Sequence, residues 1–142
     1  MFVVFDLDGT LADLTHRVHL VQKGRKQDWD LFYDLCHEDR PIYELIDVCQ
    51  ALSGCGCHIE IWSGRMERCR AKTEAWLLAY SVPYERLVMR PDDDERPDVE
   101  LKEGWLRTSS MRPSLVFDDR KRLAEMWRRN GIRCCHVADG DY

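Results

Sequence analysis

A chain of 142 residues with 44% hydrophobic side chains can bury a core, which excludes a disordered polypeptide, and its formal charge of −5 argues against a broad cationic face for long duplex nucleic acid while leaving room for a local basic pocket. No apolar run approaches the ~20 residues that span a bilayer, and the first residues lack the basic flank and cleavage site of a secretory leader. With seven cysteines, an odd number, a disulfide framework is not expected, so the reading is one cytoplasmic domain over residues 1–142 with reduced thiols and no membrane partner.

The chain opens on Met1-Phe-Val-Val-Phe-Asp-Leu7, a β-branched and aromatic run that stops at Asp8-Gly9-Thr10. This predicts a buried strand running into a turn. The stretch at about 14–40, with Trp29, Phe32 and Tyr33, breaks the pattern and is expected to form a small helical insertion over the end of that strand. Pro41 suits a first helical position, Ile42, Leu45, Ile46, Cys49 and Leu52 recur on one face, and Gly54 suits the end. His58–Trp62 is the next strand. A helix follows over Glu67–Tyr80, with Cys69, Thr73, Trp76, Leu77 and Tyr80 on its stripe.

Arg86–Met89 and Ser114–Phe117 are further strands, and Lys102 falls on a predicted helix between them. Lys121–Asn130 presents Leu123, Met126 and Trp127 before Gly131, and Ile132–Val137 closes the series as a strand. Strands alternating with helices predict an α/β fold: a central parallel sheet, helices on both faces, and ligands beyond the carboxyl ends of the strands.

Asp6-Leu-Asp8-Gly-Thr10 places two carboxylates on one side of a strand end, with Gly9 permitting a sharp turn. One carboxylate can attack phosphorus and the other can protonate the leaving oxygen and later activate water. The bland alternative is a solvated acidic turn. Ser63-Gly64-Arg65 follows the second strand, where a hydroxyl and backbone N–H groups can hold a phosphoryl group. Asp118-Asp119 ends another strand, and Mg²⁺ favours a few carboxylates together with water and phosphate oxygens. Alone, the acidic pair could simply cap the next helix, and Lys102 could be solvated surface rather than a charge partner for nucleophile and phosphate.

In this order, on predicted strand ends, the four segments resemble the haloacid dehalogenase (HAD) superfamily of phosphohydrolases. The resemblance implies a Rossmann-like HAD fold, with Asp6 as nucleophile and Asp8 as acid and base. It places Mg²⁺ among Asp6, the Asp8 backbone carbonyl and Asp118, with Asp119 behind them. Between the motifs, Arg17, Asp28-Trp29, Thr73, Trp76-Leu77, Met89-Arg90, Arg96-Pro97-Asp98 and Met126-Trp127-Arg128 are similar to the 3′-phosphatase domain of the polynucleotide kinase/phosphatase family. That likeness implies active-site places for Arg17, Arg65, Asp98 and Lys102 beside the four aspartates. The arginines could contact phosphate oxygens, with Thr10, Ser63 and Gly64 around them, and Asp98 could orient Lys102 from one helical turn away.

No G-x-x-x-x-G-K-[ST] loop occurs in the chain, so a free-standing phosphatase is expected, with a separate kinase or ligase partner and a homodimer both left open. Three functions follow: a 3′-phosphatase on nucleic-acid ends or nucleoside 3′-monophosphates, a broader nucleotide or small-metabolite phosphatase, and a silent binding module. No nucleophile or metal ligand is missing, which disfavours the third. Cys55-Gly-Cys57-His58 and Cys134-Cys135-His136 miss the common zinc spacings and read as structural thiols, and Asp92-Asp-Asp-Glu95 reads as a solvated loop.

Overall fold

Strand β1 (Phe2–Phe5) is buried at every position, and its alternation sends Val3 and Phe5 to one face of the sheet and Phe2 and Val4 to the other. A strand with no polar face must be covered on both sides, which is the condition of a central parallel strand. The structure is a computed structural model that describes residues 1–22, 24 and 26–140. Positions 23 and 25 of the expected insertion therefore lie outside the described residues.

Around β1 run β2 (Ala12–Asp13), α1 (Trp29–Asp34), β3 (Arg40–Pro41), α2 (Tyr43–Gly54), β4 (His58–Met66), α3 (Arg70–Ala79) and β5 (Arg86–Arg90). They are followed by α4 (Asp98–Thr108), β6 (Leu115–Asp118), α5 (Lys121–Arg129) and β7 (Arg133–His136). The main sheet has five strands in the order β5-β4-β1-β6-β7, all parallel. The expected parallel sheet with helices on both faces is thus present. The chain moves outward from β1 through β4 to β5, then returns to β6 and β7, so the order reverses at β1. In such sheets the crevice beyond the carboxyl ends at that reversal is the ligand position.

One face packs Val3, Phe5, Ile59 and Ile61 against Ile46 and Cys49 of α2 and Trp76 and Leu77 of α3. The other packs Phe2, Val4, Trp62 and Val116 against Leu106 of α4 and Leu123, Met126 and Trp127 of α5. Phe5 stacks on Phe117 across the β1–β6 ladder, with ring centroids 4.4 Å apart.

Pro41 does not begin a helix. It pairs antiparallel with Ala12, and Ile42 donates its N–H to the Leu11 carbonyl before α2 starts at Tyr43. A proline has no N–H to give, which an edge pairing of two residues tolerates as well as a helix start does. The insertion is a 3₁₀ turn (Val18–Leu20), α1 capped by Asp28 accepting from Leu31 N at 3.0 Å, and a second 3₁₀ turn (Leu35–Glu38). The pairing of β2 with β3 closes its base. No helix among the described residues is long and apolar enough to cross a membrane.

Candidate active site

The sheet delivers its polar residues to one edge because all five strands point the same way. Asp6 directly follows β1 and continues the ladder by donating its N–H to the Phe117 carbonyl at 2.9 Å. The chain then doubles back: the Leu7 carbonyl accepts from Thr10, Leu11 and Ala12, a turn that needs Gly9 at φ +83°. Asp118 ends β6 and Asp119 follows it, while Ser63, Gly64 and Arg65 lie in the irregular carboxyl half of β4, whose register with β5 shifts between Ser63 and Met66.

Lys102, on α4, is buried and reaches across to this edge. Its Nζ lies 2.7 Å from Asp6 Oδ1 and 3.1 Å from Asp118 Oδ2. Burial works against its charge, but Asp118 and Asp6 outweigh burial and hold the ammonium protonated well above the ordinary lysine range. Burial pushes Asp6 up to about 6; Lys102 opposes the rise, and the nearby Asp118 and Asp8 charges add to it. Asp119 is pushed up to about 8 by burial and then by the Asp6 and Asp118 charges. For all three carboxyls to be ionised this close together and out of water, positive charge beyond one lysine is needed.

The cluster meets that need in its geometry. Asp6, Asp118 and Asp119 each offer a carboxylate oxygen within 4.8 Å of the others, and all three are buried. Both carboxylate oxygens of Asp119 are buried and have no hydrogen-bond partner in the described residues. Unsatisfied buried oxygens are rare in native proteins, and a hard divalent cation would satisfy them, so the donor set fits Mg²⁺. Asp119 thus lies in the same group of carboxylates as Asp6 and Asp118. A Cβ added to Gly9 or Gly140 would collide with the Asp119 carboxylate, so two glycine backbones press on that side chain.

Asp8 points to a different set of partners. Arg65 donates to Asp8 Oδ1 through Nε at 2.9 Å and through a terminal nitrogen at 2.6 Å, and Arg17 donates to the same oxygen at 2.9 Å. Burial would raise Asp8, but the Arg65 and Arg17 charges and the Arg65 hydrogen bond overcome it and hold the carboxyl at about 2. Both guanidinium groups are fully buried, and both also bind Asp39, Arg17 at 2.7 and 2.6 Å and Arg65 at 2.6 Å. Arg17 further lies over the Phe32 ring, 4.1 Å from its centroid. The arginines expected to touch phosphate are here committed to carboxylates.

Asp98 likewise does not bond to Lys102. It pairs with Arg90 and Arg120 instead. Arg90 also binds the Gly64, Asp94 and Arg96 carbonyls, which ties the end of β5 to the start of α4. Thr10 is buried with its hydroxyl unpartnered in the described residues, and Ser63 Oγ accepts from Arg65 N at 3.2 Å. Sequence reasoning missed Asp39 and gave Arg90 and Arg120 no role. The two arginines could have been found from their places just past the strands predicted from sequence, as Arg65 was. Asp39 carries no such signal.

These groups meet a cavity of about 640 Å³, within the usual size of small-molecule sites. Its lining takes in Asp6, Asp8 and Lys102, the aromatic residues Trp29, Phe32 and Tyr33 of the insertion, and Arg90, Arg120 and Arg122. The arrangement offers a carboxylate able to act as a nucleophile, a group of carboxylates beside it that fits a cation, and a second carboxylate whose proton affinity is set by two arginines.

A family model described as the polynucleotide kinase PNKP phosphatase domain matches residues 1–142. A chain of the Pnkp1/Rnl/Hen1 complex superposes with a TM-score of 0.81 at 28% identity, covering 99% of this chain and 46% of that one. A chain of the Pnkp1/Rnl/Hen1 RNA repair complex gives 0.80 at 26% identity, with 99% and 43% covered. This chain therefore spans less than half the length of either. The class C acid phosphatase from Bacillus anthracis with tungstate bound shares the fold, with a TM-score of 0.66 at 20% identity over 99% of this chain and 67% of that one.

Proposed function

The chain belongs to the PNKP phosphatase-domain family of the HAD group, and from that premise we propose that it is a Mg²⁺-dependent phosphomonoester hydrolase that removes 3′-phosphates from nucleic-acid or nucleotide ends through an aspartyl-phosphate on Asp6. One observation carries the reading: Lys102 joins Asp6 to Asp118 at 2.7 and 3.1 Å, beside an Asp119 carboxylate with no other partner in the described residues.

In the proposed reaction, an Asp6 oxygen bonds to phosphorus as the ester P–O bond breaks, and the departing oxygen takes a proton from Asp8. Water then attacks phosphorus and gives a proton to Asp8, and the bond between Asp6 and phosphorus breaks to release phosphate. Asp8 is a carboxylate in the free protein, the form needed for the second step. An incoming phosphate dianion adds like charge near Asp8 and opposes the pull of Arg65 and Arg17, raising its proton affinity for the first step. Lys102 keeps Asp6 ionised and oriented, and Thr10, Ser63 and Gly64 are placed to receive phosphoryl oxygens. Arg17 and Arg65 act on the reaction by holding Asp8. Asp6, Asp118 and Asp119, with the Asp8 backbone carbonyl by family resemblance, would hold Mg²⁺, which when bound offsets charge on the phosphoryl oxygens.

The Pnkp1 relatives were solved in complex with Rnl and Hen1, one of them as an RNA repair complex, which supports a nucleic-acid 3′ end as substrate and a separate ligase partner. A broader nucleotide phosphatase is favoured by Asp92, Asp94 and Glu95, carboxylates that line the cavity and add negative charge near an incoming polyanion. The deciding experiment measures phosphate release, with Mg²⁺, from a 3′-phosphorylated oligonucleotide, its 5′-phosphorylated counterpart and free mononucleotides. Preference for the 3′ ester is expected. Equal turnover of 3′ and 5′ esters would favour the broader enzyme, and no release from any of them would sink the phosphatase reading.

A further inference from the structure

Helix α5 exposes five residues to solvent, the cations Lys121, Arg122, Arg128 and Arg129 and a single anion, Glu125, in a chain whose formal charge is −5. Two of the cations occupy the first turn, which holds no acidic residue. Amide dipoles already concentrate positive charge there, so this placement works against the helix rather than for it. Lys121 and Arg122 make no ion pair or hydrogen bond among the described residues. Arg128 donates to the Cys134 carbonyl at 2.9 Å, and Arg129 lies 3.6 Å from Glu103 with 64% of its side chain exposed. Both can still meet an anion from outside.

The stripe meets the active site at Arg122, which lines the cavity that holds Asp6, and Glu125 stands between it and the Arg128–Arg129 pair. From Arg122 to Arg129 the helix rises about 10 Å, enough to follow more than one backbone phosphate of a single strand. The run Asp92–Glu95 follows β5, at one edge of the sheet, whereas α5 packs on β6 and β7 at the other. Around that run the arginines are matched by carboxylates, Arg96 pairing with Asp94 and Arg90 with Asp98, whereas Lys121 and Arg122 of α5 have no such pairing among the described residues, so a polyanion with its end at Asp6 gains more along α5.

Resting on the 3′-phosphatase reading, we propose that the exposed face of α5 is a docking track for the sugar–phosphate backbone of a single-stranded polynucleotide whose 3′-phosphate sits at Asp6. Chain length, and not only the terminal nucleotide, then governs turnover.

The test compares kcat/KM for a short 3′-phosphorylated single strand and for a nucleoside 3′-monophosphate over a range of salt, in the unaltered chain and in the Arg128→Gln/Arg129→Gln variant. The strand is expected to lose about five- to tenfold in the variant, with its salt slope reduced by about 1.4 for two contacts at about 0.7 each, while the monophosphate changes less than twofold. Equal losses on both substrates, or none on the strand, overturn the track; the latter would leave α5 as a face for an acidic protein. Fluorescence anisotropy of a labelled unphosphorylated strand decides the same point without catalysis, since the variant must bind it more weakly. Weaker binding without phosphate release from any ester would uphold the track and sink the phosphatase reading alone.

Discussion

Asp8 and Asp39 share one pair of arginines: the same Arg65 nitrogen lies 2.6 Å from Asp8 Oδ1 and 2.6 Å from Asp39 Oδ2, and Arg17 bridges the same two carboxylates at 2.9 and 2.6 Å. Two cations face two anions, with Arg17, Arg65 and Asp39 buried and Asp8 opening onto the cavity, so the charge balance around Asp8 depends on a residue of the insertion that lies outside the motifs. Trp76 Nε1 fixes that residue from behind by donating to the Asp39 carbonyl at 2.8 Å.

Removing Asp39 is therefore expected to leave buried positive charge and to cost about 3–5 kcal/mol of stability. Urea unfolding of Asp39→Ala measures this. Kinetics separate a positioning role from a purely structural one. Hydrolysis of alkyl phosphates, whose leaving oxygen needs a proton from Asp8, should fall at least tenfold more than hydrolysis of p-nitrophenyl phosphate, whose leaving group needs none. Equal losses on the two esters would make Asp39 structural only.

Asp6→Asn keeps the shape of the side chain and removes its nucleophilicity. It is expected to fold and to lose on the order of 10³-fold or more in phosphate release. Lys102→Ala should also inactivate, but with a stability loss as well, because Asp6 and Asp118 then face each other without a cation. Activity in Asp6→Asn close to that of the unaltered chain would remove Asp6 from the role of nucleophile.

What the sequence showed of this site follows from where its residues stand. Asp6, Ser63 and Asp118 were legible because each ends or closely follows an apolar run, so motif and strand mark the same edge. Arg17 and Arg65 were legible as members of the site but not in their partners, since Asp39 sits in a segment of short turns with no periodicity to place it. Asp98 was expected to face Lys102 from one turn away on α4. Its carboxylate instead turns to Arg90 and Arg120, which arrive from β5 and the β6–α5 turn, and no local spacing encodes that approach. Pro41 misled because its fixed φ serves an extended pairing as readily as a first helical turn.

The proposed cation site predicts a pH-dependent response. Asp6 and Asp119 ordinarily titrate near 3.8 and are raised to about 6 and about 8 in the metal-free fold. A carboxyl raised in this way contributes stability below its unfolded value and loses it as pH climbs through the folded value. The metal-free protein should therefore lose stability between about pH 4 and pH 8. Mg²⁺ binds the ionised forms and should restore it, so the rise in Tm on adding Mg²⁺ should be larger at pH 8.5 than at pH 5.5. Thermal unfolding with and without Mg²⁺ at the two pH values checks this. A larger rise at pH 5.5, or none at either, would count against the acidic cluster as the cation site.

Gly9 tests the same cluster from the backbone side. Its φ of +83° disfavours any side chain, and a Cβ there would strike the Asp119 carboxylate. Gly9→Ala is expected to cost about 1–2 kcal/mol for the left-handed conformation alone. Asp119 is buried and so has little room to retreat, and its carboxylate should be driven away from Asp6 and Asp118. Mg²⁺ affinity, read by calorimetric titration, should then fall by an order of magnitude or more while the fold persists by circular dichroism. Lost stability with unchanged Mg²⁺ affinity would mean that Asp119 is not a member of the cation site.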